Sequence, residues 1–191
     1  MLNLDWRPPA METTRLLLRP LVVEDAADLF LCCSNPNMTR FTLWDAHETI
    51  ADTLSFIENY AISRYMNREP DPIGIVLKDD PTHSVIGSVG CNWVSKKDGV
   101  MELGYSLAEP YWGRGLIVEA ARALLEFAFS EYQVERIQAR VIEGNFASVA
   151  VVEKLGMKFE GTHRSLVDLR SHRVDVGYYA MLRGDRTDAI G

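Results

Sequence analysis

The hydrophobic pattern of the chain switches between a period of two and a period of about 3.6, and each switch marks an element. Residues 12–20 (E-T-T-R-L-L-L-R-P) read as a first strand closed by Pro20, and residues 24–33 as a short helix with acids in its first turn. Residues 35–45 form a loop rich in large side chains, Met38, Phe41, Leu43 and Trp44, which either pack under the loop or wall a cleft. Over residues 47–62, Ile50, Leu54, Ile57 and Ala61 recur as the buried stripe of a second helix. Three strand-like runs follow at 73–78, 84–94 and 100–107. The last alternates, with Met101, Leu103, Tyr105 and Leu107 on one face and Glu102, Gly104 and Ser106 on the other. Residues 116–130 carry the strongest helical stripe: Ile117, Ala120, Ala121, Leu124, Leu125 and Ala128. A strand at 134–141, a helix at 146–155 between Asn145 and Gly156 as caps, and strands at about 157–169 and 174–182 complete the order. Seven strands and four helices in this sequence predict an α+β fold, one mixed sheet flanked by helices. No repeat or linker divides it. The domain is expected over 12–183, between a flexible leader at 1–11 and a flexible tail at 184–191.

A chain of 191 residues can bury a core large enough to hold a ligand cleft. Its net charge of −7 lacks the basic footprint that nucleic-acid binding requires. The same charge suits a cationic partner such as an amine, and equally suits plain solubility. Cys32, Cys33 and Cys91 are an odd, badly spaced set for a disulfide framework and read as buried thiols of a reducing compartment. His47, His83, His163 and His172 are scattered, so no metal is expected. No stretch approaches 18 apolar residues and the first residues lack the order of a secretion signal; a soluble cytoplasmic protein with no membrane partner is expected.

Candidate chemistry gathers at residues 102–122, E-L-G-Y-S-L-A-E-P-Y-W-G-R-G-L-I-V-E-A-A-R. A strand, a glycine-bearing loop and a helix in this order put free N–H groups and a helix dipole at one point, where a phosphate would sit. A nucleoside-triphosphate loop would need G-x-x-x-x-G-K-[S/T], which is missing from the sequence. A dinucleotide fingerprint would need a third glycine where Val118 stands, and would follow the first strand rather than the fourth. The plain alternative is a loop whose glycines merely turn the chain.

Glu102-Leu103-Gly104-Tyr105, then Pro110-Tyr111-Trp112-Gly113-Arg114-Gly115, then Glu119-Ala120 resemble, in that order, the acetyl-CoA motif of the GNAT superfamily of N-acetyltransferases. Asn145-Phe146-Ala147-Ser148, the run E-K-L-G-M-K-F-E-G at 153–161 and the opening T-T-R-L-L-L-R-P resemble its RimJ/RimL-like branch, which acetylates N-terminal amines of ribosomal proteins. The resemblance spans about residues 12–183. It implies a mostly antiparallel seven-stranded sheet whose fourth and fifth strands splay into a V that holds acetyl-CoA as co-substrate. It further implies that backbone groups of Ser106, Leu107 and Ala108 pair with the pantetheine arm. The N–H groups of Gly113, Arg114, Gly115, Leu116 and Ile117 would hold the pyrophosphate, Trp112 standing where the family usually has Arg or Gln. Asn145 would contact the cofactor.

For the transfer, Glu102 faces the cleft and is the expected base, acting through water. A backbone N–H near Leu107 would meet the developing negative oxygen. The tyrosine that many members use as general acid falls at Val152, and Ser148 is the branch's substitute, with a plain capping hydroxyl as the alternative. Val167 stands where a relative carries a glutamate, and the adjacent Asp168 points to the opposite face. The expected function is acetyl transfer to a primary amine, first of all a protein N-terminal α-amine. The alternatives are a small amine (aminoglycoside, polyamine or amino acid) and a non-catalytic acyl-CoA-binding module. Monomer and homodimer are both open.

Overall fold

A computed structural model describes residues 6–188. Its strands are β1 (Met11–Glu12), β2 (Leu16–Pro20), β3 (Ile73–Leu77), β4 (Val85–Ser95), β5 (Val100–Leu107), β6 (Arg136–Ile142), β7 (Lys158–Leu169) and β8 (His172–Leu182). They form one sheet in the order β1-β2-β3-β4-β5-β6-β8-β7, antiparallel except where β5 lies beside β6. The sequence predicts seven strands; the eighth arises because residues 12–20 fold back on themselves. The Thr13 N–H donates to the Leu16 carbonyl at 2.9 Å, and Met11 and Glu12 pair with Leu18 and Leu17. Met11, expected in the leader, is thus part of the sheet. After β8, Arg183 donates to the carbonyls of Phe129, Tyr132 and Val134, and Asp185 accepts from Lys158 and from the Leu182 N–H. The outer parts of the expected leader and tail, 1–5 and 189–191, lie outside the described residues.

The helices are α1 (Ala26–Cys33), α2 (Pro36–Thr39), α3 (Ile50–Ser55), α4 (Ile62–Met66), α5 (Leu116–Glu131) and α6 (Phe146–Lys154). The helix predicted from residue 47 starts at Ile50 because the Asp52 carboxylate takes the Thr49 N–H at 2.8 Å, satisfying a donor that the first turn would leave open. It passes into α4 through a π-helical turn, Phe56–Ala61. α2, inside the predicted loop, starts where the Asn35 side chain accepts from the N–H groups of Asn37 and Met38.

Strand β3, I-G-I-V-L, is buried at every position, as an uninterrupted apolar run requires of a strand covered on both faces. Ile73, Ile75 and Leu77 join the main core with the α5 stripe, while Val76 joins a second cluster with Leu29 of α1 and Ile57. Cys32, Cys33 and Cys91 are buried free thiols. Among the described residues no helix is long and apolar enough to cross a membrane.

One break in the sheet positions everything that follows. β4 tracks β5 to Gly87↔Leu107, but β5 and β6 pair only from Val100↔Arg136 to Glu102↔Gln138. Beyond Glu102 the two strands part, and Leu103 to Leu107 border an open V.

Candidate active site

The V forms a cleft of about 910 Å³, bordered by β5, the start of α5, α6 and the loop at 37–44. That volume suits a small-molecule ligand. Which backbone groups of β5 face it follows from the ladder. The Ala108 N–H donates to the Ile86 carbonyl at 2.8 Å. Antiparallel pairs alternate in direction, so Ser106 and Ala108 turn their backbone groups toward β4. Leu103, Tyr105 and Leu107 turn theirs into the V. The Ala108 carbonyl is also taken, by the Tyr111 N–H at 3.0 Å. Ala108 and the backbone of Ser106, expected to pair with a ligand arm, are therefore engaged within the protein. Ser106 instead contributes its side chain to the wall, 3.1 Å from the Ser88 hydroxyl.

The loop after β5 is set by two devices. Trp112 Nε1 donates to the Leu107 carbonyl at 2.6 Å, which folds the loop back on the strand end. Gly113 and Gly115 have φ of 73° and 74°, in the left-handed region that side-chain-bearing residues avoid. Gly115 is the N-cap of α5 and no side chain caps it, so the first-turn N–H groups stay available to an anion. Gly113, Gly115, Leu116 and Ile117 line the cleft, and Arg114 is not among the lining residues. Its guanidinium lies over the Tyr111 ring, 5.6 Å from the centroid, and its carbonyl accepts from Arg15 at 3.0 Å. Arg15 also pairs with Glu119 at 2.6 Å, and Thr13 donates to the same carboxylate at 2.6 Å. The opening T-x-R segment therefore braces the glycine loop across about a hundred residues of chain, a role with no local signal.

The two candidate catalytic residues stand in contrasting surroundings. Glu102 lies in the cleft, but its carboxylate accepts Nε and Nη2 of Arg140 at 2.7–3.0 Å and Nε2 of Gln138 at 3.0 Å. Ser148 sits in the first turn of α6, and its hydroxyl is 2.5 Å from that of Tyr105. Burial pushes the Tyr105 phenol up to about 12, against the lowering effect of the Ser148 bond. Asn145 Oδ1 accepts the Ser148 N–H at 3.2 Å, so Asn145 is the cap of α6 and Ser148 is not. Val152 is fully buried in the main core. Val167 lines the cleft and Asp168 does not. Tyr105, Arg140 and Gln138 carry no local signal of a role: alternation puts Tyr105 on the core face, and nothing near Arg140 or Gln138 in the chain links them to Glu102.

The far end of the cleft is walled by the loop at 37–44 and by the β7–β8 hairpin. Arg170 and Ser171 turn that hairpin with φ of 49° and 67°, as a two-residue turn of this hand requires. From this tip Arg170 donates to the carbonyls of Thr39 at 3.0 Å, Arg40 at 3.3 Å and Trp44 at 3.3 Å, and pairs with Asp45 at 3.4 Å. Loop and hairpin are thereby joined.

The chain matches the family model described as acetyltransferase (GNAT) domain over residues 15–158. It is 46% identical over 157 residues to the uncharacterized protein YkkB of Bacillus subtilis, covering 80% of this chain and 87% of that one. It is 35% identical over 177 residues to the probable N-acetyltransferase YjcK of the same organism, covering 89% and 95%. Among solved structures it resembles RimL, a ribosomal L7/L12 alpha-N-protein acetyltransferase in complex with coenzyme A, with a TM-score of 0.82 at 19% identity, over 93% of this chain and 99% of that one.

Proposed function

This chain belongs to the GNAT acetyltransferase family and takes acetyl-CoA as its donor, and on that premise we propose that its acceptor is an α-amine at a protein or peptide N-terminus. The observation that carries this reading is the occupied Glu102 carboxylate. Donors from Arg140 and Gln138 already fill most of its acceptor sites, leaving little of the carboxylate open to an incoming amine or a bridging water. Glu102 then orients Arg140 more than it serves as a base. A lysine amine, with a pKa of about 10.4, is neutral in well under a thousandth of molecules at pH 7 and depends on a strong base. An N-terminal amine, with a pKa of about 7.7–8.0, is about one-tenth neutral at that pH and depends on one far less. The likeness to RimL, named for acetylating a protein α-amine, supports the same acceptor class, ribosomal proteins included.

In this reading the first-turn N–H groups of α5 hold the donor's phosphates, and the open edge of β5 pairs with its arm through Leu103 and Tyr105. Bound acetyl-CoA supplies the acetyl thioester. The Leu107 N–H stabilises negative charge on the reacting oxygen and Ser148 gives its proton to the thiolate leaving group, while the proton that the acceptor nitrogen sheds on forming the amide passes to solvent, from which Ser148 recovers its own.

Glu102→Gln tests the assignment. With an N-terminal peptide as acceptor, kcat/KM is expected to fall by less than about tenfold and to keep its rise with pH, tenfold per unit below the amine's pKa and level above about pH 8. A loss of about 10²–10⁴ with collapse of that rise would make Glu102 the base and remove the reason for preferring an α-amine.

A further inference from the structure

We infer that the acceptor's first residue carries an apolar side chain, seated between the loop at 37–44 and the β7–β8 hairpin; this rests on the N-terminal-amine reading above. The walls are Met38, Phe41, Leu43 and Trp44 on the loop, facing Val167 and Val176 on the hairpin. They border the same cleft as Glu102 and Ser148, and Leu43 and Trp44 are 56% and 40% exposed. An α-amine is one carbon away from its own side chain. A substrate whose amine reaches the reacting end therefore brings that side chain against these walls.

The loop does not expose these residues through slackness. At its start the Glu109 carboxylate accepts the side-chain amides of Asn35 at 2.8 Å and Asn37 at 3.0 Å. Farther along, the Thr42 hydroxyl is 2.9 Å from the Thr39 carbonyl and 2.7 Å from the Trp44 carbonyl, and Arg170 ties three loop carbonyls to the hairpin. A loop braced at both ends that holds large apolar side chains toward water is unfavourable until something apolar covers them. Arg170 is thus a positioning residue for the acceptor.

The test uses the full chain, acetyl-CoA and synthetic peptides that differ only in their first residue. Leu and Phe peptides are expected to exceed Gly, Ser and Asp peptides in kcat/KM by at least about tenfold, chiefly through KM. Trp44→Ala should shrink that ratio to within about threefold. Arg170→Ala should raise the KM of the Leu peptide without moving that of acetyl-CoA, and Arg170→Lys should restore part of the loss. If Trp44→Ala lowers the melting temperature, Leu43→Ser serves in its place. A flat profile across first residues, or a preference untouched by these loop variants, overturns the inference while the N-terminal-amine reading stands. Turnover of small amines or of N-blocked lysine peptides, with none of the free N-terminal peptides, overturns both.

Discussion

Gly104→Val should lower kcat/KM for acetyl transfer by about 100-fold, the scale at which a misplaced reactant costs rate, while leaving the fold as stable as before. Gly104 is an exposed position in β5, at the V, and a Cβ added there would meet no atom within 4 Å. No protein neighbour accounts for the glycine. A glycine inside a strand sacrifices about 0.5–1 kcal/mol of stability, and valine is among the residues a strand favours. The substitution is therefore neutral or stabilising for the empty protein, and its methyl groups take up room in the cleft alone. Steady-state kinetics beside a thermal melt separate the two effects. A folded variant with full activity would mean that the open edge of β5 is not where the reactants lie.

Ser148→Ala should reduce kcat by about 100-fold, within the range for loss of a positioned proton donor, with little change in the KM for acetyl-CoA. Since Asn145 caps α6, the hydroxyl is not needed to start the helix, and the melting temperature should hold. Burial keeps the Tyr105 phenol protonated across the working pH range, so it can donate to Ser148 Oγ and leave the serine proton free for the cleft. Tyr105→Phe should then cost about tenfold in kcat, and the double variant no more than Ser148→Ala alone, because contacting residues that act as a unit are not additive. Ser148→Ala within twofold of the native rate would reduce the serine to a bystander, and strictly additive losses would mean that it acts independently of Tyr105.

What could be read from the sequence divides by range. β5 and α5 rest on periodicities contained within each segment, β3 on an unbroken apolar run, and the glycine loop on two nearby positions that need a left-handed backbone. These were legible. The hairpin at Thr13 was hidden because its signal, a turn among threonines, is weaker than the apolar run that follows. The direction of the Ala108 N–H depends on Ile86, which belongs to another strand. Glu102 and Arg140 stand on different strands, Tyr105 meets Ser148 on a helix far along the chain, and Arg170 reaches a loop near the other end. Alternation gave the right face for Tyr105, but its reach across the cleft depends on how β5 and α6 pack. Long side chains that cross the molecule leave no local pattern, and much of this site is made by them.

The most direct test of the acceptor is a single peptide with an apolar first residue, a free α-amine and one internal lysine. After incubation with acetyl-CoA and the enzyme, tandem mass spectrometry locates the acetyl group. The occupied Glu102 carboxylate predicts acetylation of the α-nitrogen alone. Acetyl on the lysine Nζ, with the α-amine untouched, would contradict it.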